Sequence, residues 1–253
     1  MYRIVIPARY ASTRLPGKPL LPIAGKPMLE WVYARACATR AREVVVATDD
    51  ARIEVVARAF GANVMMTAES HSSGTDRIAE VAARCAWADD EVVVNLQGDE
   101  PNMPAELVEQ VAQLLLEHPQ ASIATLATPV QSVEEYLDPN AVKVVTDLDG
   151  RALYFSRAPI PWHRDHGPSG ELHHSAARRH LGLYAYRVSA VLQLASAAPT
   201  TLEEIEKLEQ LRALAHGLEI RVANAVRRPG PDVNTADDLA RAQAALVSER
   251  PSR

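Results

Sequence analysis

The chain has 253 residues, 47% of them hydrophobic and 23% charged, and a formal net charge of -5. That is the make-up of a soluble globular protein with one large core and a smaller appendage, and its acidic surplus offers nucleic acid nothing, so any polyanion must meet a local cluster of positive groups. No apolar run reaches the roughly 18 to 20 residues that span a bilayer, and the start "MYRIVIPARY" lacks the long apolar stretch of an export signal, which makes a cytoplasmic location the expectation.

In chain order, a strand is predicted at Arg3 to Ile6, a helix after Pro27, and a strand at "EVVVAT" (43–48). A helix follows Asp49 and Asp50, either of which can cap it, with Gly61 after its last turn. Next come "NVMM" (63–66), a helix from about Thr75, the strand "EVVVNLQ" (91–97) and a helix from about Pro104. These strands are continuously apolar rather than alternating, so both sheet faces are covered: a largely parallel sheet between helices, an α/β fold. Cys37 and Cys85 fall in helical stretches without a C-x-x-C pair and are expected to be buried, reduced thiols.

From about Ala121 the texture changes. "ASIATLATPV", "AVKVVTDLDGRALYFSR" and "RRHLGLYAYR" are longer strands, and Asp149-Gly150 is a good hairpin turn. The reading is a single α/β domain over 1–253 with an inserted, more antiparallel lobe at about 121–190. Two helices over about Thr201 to His216, a strand "EIRVANAV" and a helix from Thr235 complete it.

In an open parallel sheet, ligands bind beyond the carboxyl ends of the strands. The segment "PARYASTRLPGKP" follows the first strand at that edge and carries Arg9, Arg14 and Lys18 around Ser12 and Gly17. Guanidinium forks and an ammonium on a short loop suit a triphosphate, and the bland alternative is a set of solvated surface charges. Pro19 after Gly17-Lys18 excludes a Walker motif, and the absence of G-x-G-x-x-G counts against a nicotinamide enzyme. Lys26, beside a helix start, belongs to the turn.

Magnesium prefers one or two protein carboxylates, with phosphate oxygens and water completing its octahedron. Asp99 in "VVVNLQGDEP" lies just past a central strand on the same edge as the basic loop, with helix capping as its alternative job; Glu100 is set aside because Pro101 and the coming helix turn it elsewhere.

Taken together, "IPARYASTRLPGKPL", "VVVATDD", "HSSGTDRIAEV", "VVVNLQGDEP", "PNAVKVV", "LYFSRAPIPW", "HLGLYAYR" and "LEEIEKLEQLRAL", in order over nearly the whole chain, resemble the 3-deoxy-manno-octulosonate (Kdo) cytidylyltransferase family. The resemblance implies a Rossmann-like nucleotidyltransferase fold, magnesium dependence, a homodimer built through the antiparallel lobe, and transfer of CMP from CTP to Kdo for lipopolysaccharide synthesis. It also implies site residues. Pro7, Ala8, Arg9, Ser12, Arg14 and Lys18 match the triphosphate loop, with Arg14 and Lys18 serving catalysis, and Ser73, Gly74 and Arg77 match a nucleotide-side loop. Asp99 matches the metal aspartate, while Gln97, Arg157, His180, Tyr184, Glu209 and Gln210 match the sugar-acid pocket. Arg157 is a suitable cation for the sugar's carboxylate.

One position departs from the pattern. Where the family carries a second metal aspartate, "VNTADDL" places Asn234, whose amide oxygen can still coordinate magnesium but without charge, with Asp232 as the nearby substitute. Asn234 or Thr235 can equally cap the last helix with support from Asp238. The rival activities are transfer to another sugar acid, such as 8-amino-Kdo or a neuraminate-like acid, and a related glycosyltransferase, whose expected D-x-D motif "QGDEP" does not supply.

Overall fold

The computed structural model describes residues 1–11, 15–71, 73–165, 167, 176–233 and 235–248. The predicted Ser12, Arg14 and Asn234, and residues 173–175 of the "HHSAARRH" segment, lie outside the described residues.

The run Tyr2–Ala8 forms strand β1, paired in parallel with β4 (Glu43–Thr48) on one side and β6 (Val92–Asn95) on the other. Strand β5 (Asn63–Met66) extends the parallel set. On the far side of β6 the direction reverses. The long strand β10 (Arg178–Arg187) runs antiparallel between β6 and β7 (Ile123–Pro129), and β11 (Ile220–Asn224) pairs parallel to β7 at the edge. The amino-terminal end of β10 also pairs with β8 (Lys143–Thr146), which forms a hairpin with β9 (Ala152–Ser156). The result is one nine-stranded mixed sheet among the described residues. A short ribbon of β2 (Pro22–Ile23) and β3 (Lys26–Pro27) stands apart.

Side chains alternate across β1, so Ile4 and Ile6 enter one core layer and Val5 the other. Helices α1 (Met28–Cys37), α2 (Ala51–Ala59) and α4 (Ala105–Glu117) cover the first layer with Leu29, Val32, Ile53 and Val108. The second is covered by α3 (Gly74–Arg84) and α6 (Val188–Ser196) with Ile78, Val81 and Val191. A sheet covered on both faces is what continuously apolar strands require.

Local signals explain the boundaries. Asp50 caps α2 by accepting from Arg52 N at 2.9 Å, and Ser73 and Asp76 form a reciprocal capping box on α3. Thr235 and Asp238 do the same for α9 (Ala236–Ser248). The β8–β9 turn is fixed by the Asp147 carboxylate, which accepts from Asp149 N and Arg151 N, with Gly150 at φ 81°.

The burial part of the cysteine expectation is corrected. Cys37 is exposed and Cys85 half-buried, both as free thiols, because each sits at the last turn of its helix, where the chain leaves the core. No helix among the described residues is long and apolar enough to cross a membrane.

Candidate active site

The carboxyl ends of β1, β4 and β6 deliver three loops to one edge of the sheet. The loop after β1 is closed at its neck by Gly17 N donating to Tyr10 O at 3.0 Å, and Lys18 starts the short 3-10 turn that follows. The loop after β6 carries Gly98, Asp99 and Glu100. Gly98 lies flat against β1: a Cβ there would sit 3.0 Å from the carbonyl oxygen of Pro7, so backbone meets backbone.

Across this junction Lys18 Nζ lies 2.5 Å from Asp99 Oδ2 and donates to the carbonyl of Val233 at 2.7 Å, while Val233 N donates to Asp99 O at 3.0 Å. Val233 is held there by its side chain, which is buried with Ile23, Met28, Ala242 and Leu246. The predicted cation and the predicted metal carboxylate are thus brought together, Lys18 largely enclosed at 13% side-chain exposure and Asp99 more open at 30%. Arg9 is exposed at the head of the same loop. Lys26 serves the turn, as expected, bonding Glu30 at 2.6 Å.

Glu100 is a residue the sequence reading set aside. Its Oε2 is sealed from solvent without a hydrogen-bond partner among the described residues, and burial, then the charges of Asp99 and Asp232, hold its carboxyl well above the usual range. It borders a cavity of about 310 Å³ shared with Arg179, Arg228 and Asp232.

The nucleotide-side residues divide. Gly74 packs beside Pro7, and the Ser73 hydroxyl is committed to the cap of α3. Arg77 is buried at 3% exposure, donates to Thr67 Oγ1 at 2.7 Å and pairs with Asp49, so its guanidinium braces the β4 and β5 loops from within.

The sugar-acid candidates come from β6, β9, β10 and the segment between α7 (Thr201–Glu206) and α8 (Gln210–Ala215). The register of β10 shifts across Gly182 and Leu183, between Leu181 and Tyr184, and the His180 and Tyr184 rings lie 5.2 Å apart. Tyr184 stacks in turn on Tyr186 at 5.7 Å. His180 is also edge-on to Phe155, and its Nε2 lies 3.0 Å from Thr125 Oγ1. The Thr125 hydroxyl has carbonyl acceptors in Leu181 at 3.1 Å and Leu183 at 2.9 Å, which leaves its oxygen to accept from the imidazole Nε2.

Burial lowers the His180 pKa to about 3. A depressed histidine pKa means the unfolded chain takes up a proton the folded one refuses. Stability is full above about pH 6.5 and falls as pH drops toward 3, by up to about 1.4 kcal/mol per pH unit. Urea titrations from pH 7 to 4 should show a shallower acid loss in His180→Gln than in the parent; equal slopes would contradict this.

Glu209 and Gln210 are adjacent at the start of α8. Burial raises the Glu209 carboxyl above its usual range, with Thr75 and Arg212 opposing, and Glu209 Oε1 and Gln210 Nε2 are sealed without partners among the described residues. A cavity of about 370 Å³ joins Ser73 to Glu209 and is also lined by Lys207 and Arg212. Gln97 is half-buried just beyond β6. Sequence reasoning missed Asn95 and Lys207. Asn95 is 3% exposed, its Oδ1 has no partner among the described residues, and it is cross-strand from Tyr184; its position at the last residue of an apolar run was the available signal. Lys207 had no signal, since its left-handed backbone at φ 53° is visible only in the fold.

A family model described as cytidylyltransferase matches residues 3–220. The chain is 53% identical to the 3-deoxy-manno-octulosonate cytidylyltransferase of Thioalkalivibrio sulfidiphilus (strain HL-EbGR7), over 97% of this chain and 98% of that one. It is 52% identical to the protein of that name from Cellvibrio japonicus (strain Ueda107), with the same coverage. The solved structure of CMP:2-keto-3-deoxy-manno-octonic acid synthetase complexed with CTP matches with a TM-score of 0.90 and 41% identity, covering 99% of this chain and 100% of that one. A cytidylyltransferase from Leptospira borgpetersenii serovar Hardjo-bovis (strain JB197) shares the fold at a TM-score of 0.64 and 18% identity, covering 99% of this chain and 89% of its own.

Proposed function

Because the chain belongs to the 3-deoxy-manno-octulosonate cytidylyltransferase family, we infer that it transfers CMP from CTP to the anomeric hydroxyl of Kdo, supplying the activated sugar for lipopolysaccharide synthesis. The observation that carries this reading is the meeting of Lys18 and Asp99 at the carboxyl edge of β1 and β6, where a parallel sheet receives nucleotides.

In the reaction the anomeric oxygen attacks the α-phosphorus, the bond to the bridging oxygen of the β-phosphate breaks, and pyrophosphate leaves with the electron pair. Such a step depends on positioning and on charge stabilisation more than on covalent help. Lys18 has three N–H donors, of which two are used by Asp99 and Val233; the third is available to an α-phosphate oxygen. Arg9, Ser12 and Arg14 take the β- and γ-phosphates, with Pro7, Ala8 and the amino-terminal end of α3 at Ser73 and Gly74 facing the nucleotide. Buried and charge-paired, Arg77 supports that wall from behind.

Magnesium fits the donors present. Asp99 is a carboxylate at the edge that receives the phosphates, and magnesium takes one or two carboxylates and draws its remaining oxygens from phosphate and water. Asp99 would hold it, with Asp232 or Asn234 as second donor; when bound, the ion offsets charge on the phosphate oxygens. Arg157 meets the sugar carboxylate, and Gln97, His180, Tyr184, Glu209 and Gln210 meet its hydroxyls.

The enzyme is proposed to be a cytoplasmic homodimer. The segment 121–190 exposes Leu137, Leu148, Leu153 and Trp162, apolar side chains that a second copy could cover.

A pyrophosphate-release assay with CTP, magnesium and Kdo tests the reading. Turnover is expected with Kdo and at least tenfold weaker with 8-amino-Kdo or neuraminate-like acids. Release with none of these acids would end it, and a preference for another acid would reassign the substrate.

A further inference from the structure

We propose that Glu206, with the buried amine of Lys143, is a positioning residue that sets Arg157 for the carboxylate of the sugar acid. The inference rests on the reading of Arg157 given above and goes beyond it in naming what holds that residue in place.

Arg157 follows β9 and is fixed at both its backbone and its side chain. Glu206, the last residue of α7, accepts from Ser156 Oγ at 2.6 Å through Oε1 and from Arg157 N at 2.9 Å through Oε2. Its own carbonyl accepts Arg157 Nε at 2.6 Å. The carbonyl of Arg157 accepts from Lys143 Nζ at 2.7 Å, and the same ammonium reaches the carbonyl of Asp138 at 2.8 Å. Lys143 is fully buried, and no acidic side chain lies within 4.0 Å of its nitrogen among the described residues; burial lowers its pKa, the Arg157 charge adds to that, and the charges of Asp138 and Glu206 oppose it. A lysine sealed in this way is expensive to bury, so its two carbonyl bonds mark a place where chain geometry is held at some cost to stability.

The guanidinium is not charge-paired as those of Arg77 and Arg212 are; Arg187 is the parallel, with its nitrogens on the carbonyls of Ala121, Asp90, Leu115 and His118. Arg77 pairs with Asp49 and Arg212 pairs with Glu203 at 2.6 Å, so their charges are cancelled inside the fold. Arg157 instead donates to three neutral carbonyls: Glu206 O, Pro139 O at 2.9 Å and Lys207 O at 3.5 Å. Among the described residues no carboxylate stands within 4.0 Å of its guanidinium. Its orientation is therefore fixed while its charge is left over. Of the five N–H donors of a guanidinium, three are taken, and the remaining two are the number a carboxylate accepts side by side. The carboxylate of Glu206 spends its lone pairs on a hydroxyl and a backbone amide instead of cancelling the arginine it positions.

The test separates this role from general support by measuring KM for Kdo and for CTP independently, with CTP binding by calorimetry to show that the fold is intact. Arg157→Ala and Glu206→Leu should each raise KM for Kdo at least tenfold while KM for CTP stays within twofold. The double variant should be no worse than Arg157→Ala alone, because Glu206 acts through the arginine. Glu206→Gln should recover most of the loss, since the amide oxygen still accepts from Arg157 N and its NH₂ can donate to the Ser156 hydroxyl. Should Glu206→Leu not fold, Ser156→Ala, which removes one anchor of the carboxylate, should raise KM for Kdo about threefold. If Arg157→Ala raises KM for Kdo and neither Glu206→Leu nor Ser156→Ala does, Glu206 does not position it, although Arg157 keeps its role. If Arg157→Ala leaves KM for Kdo unchanged, the reading of Arg157 fails and takes the proposal with it. Parallel rises in both KM values with Glu206→Leu would also overturn the proposal, as the mark of a purely structural residue.

Discussion

Lys18→Met is expected to lower kcat by about 10² to 10³-fold, the range found when one donor to a developing anionic charge is deleted from an enclosed site. Methionine keeps the unbranched stem up to the ε position and removes the charged nitrogen. The variant leaves the Asp99 carboxylate and the Val233 carbonyl without their shared donor, but Asp99 is 30% exposed and water can replace the lost bond, so the melting temperature should move little. Single-turnover kinetics with saturating CTP and Kdo read the chemical step, and circular dichroism reads the fold. A rate within threefold of the parent would remove Lys18 from the chemistry.

Asp99→Asn should lower kcat/KM at least a hundredfold and, unlike Lys18→Met, shift the magnesium activation midpoint at least tenfold higher. Asparagine preserves the shape and one acceptor oxygen but removes the negative charge that magnesium favours. The two variants therefore separate functions that the free protein joins in one ion pair: the lysine variant should keep its metal response and the asparagine variant should not. An unchanged magnesium midpoint in Asp99→Asn would show that the ion is held elsewhere, with Asp232 the first residue to examine.

Much of this arrangement was legible before any coordinates. The runs at 4–6, 44–47 and 92–94 are apolar without alternation, and burial on both sheet faces is the physical reason for such runs, so their parallel pairing followed. The basic loop and Asp99 could be placed at one edge because each immediately follows such a strand. Helix α6 was missed because it continues straight from β10: Arg187 ends the strand, Val188 begins the helix, and neither proline, glycine nor a side-chain cap marks the change. Lys143 sits in "AVKVV", where nothing local marks a charged residue for burial, yet it is fully buried with two carbonyls from separate segments on its amine. The partner of Arg77 is 28 residues away and the amide anchor of Arg157 is 49 residues away, separations that no local pattern encodes.

The flat contact of Gly98 on Pro7 has a consequence for how accurately this cleft can be made. Its gauge is set by two main chains touching, with no rotamer in between to lengthen, shorten or swing. A methyl group at position 98 would meet the Pro7 carbonyl at 3.0 Å and push the strands' loops apart by a few tenths of an ångström, a small strain that would act directly on the gap across which an ammonium and a carboxylate face each other.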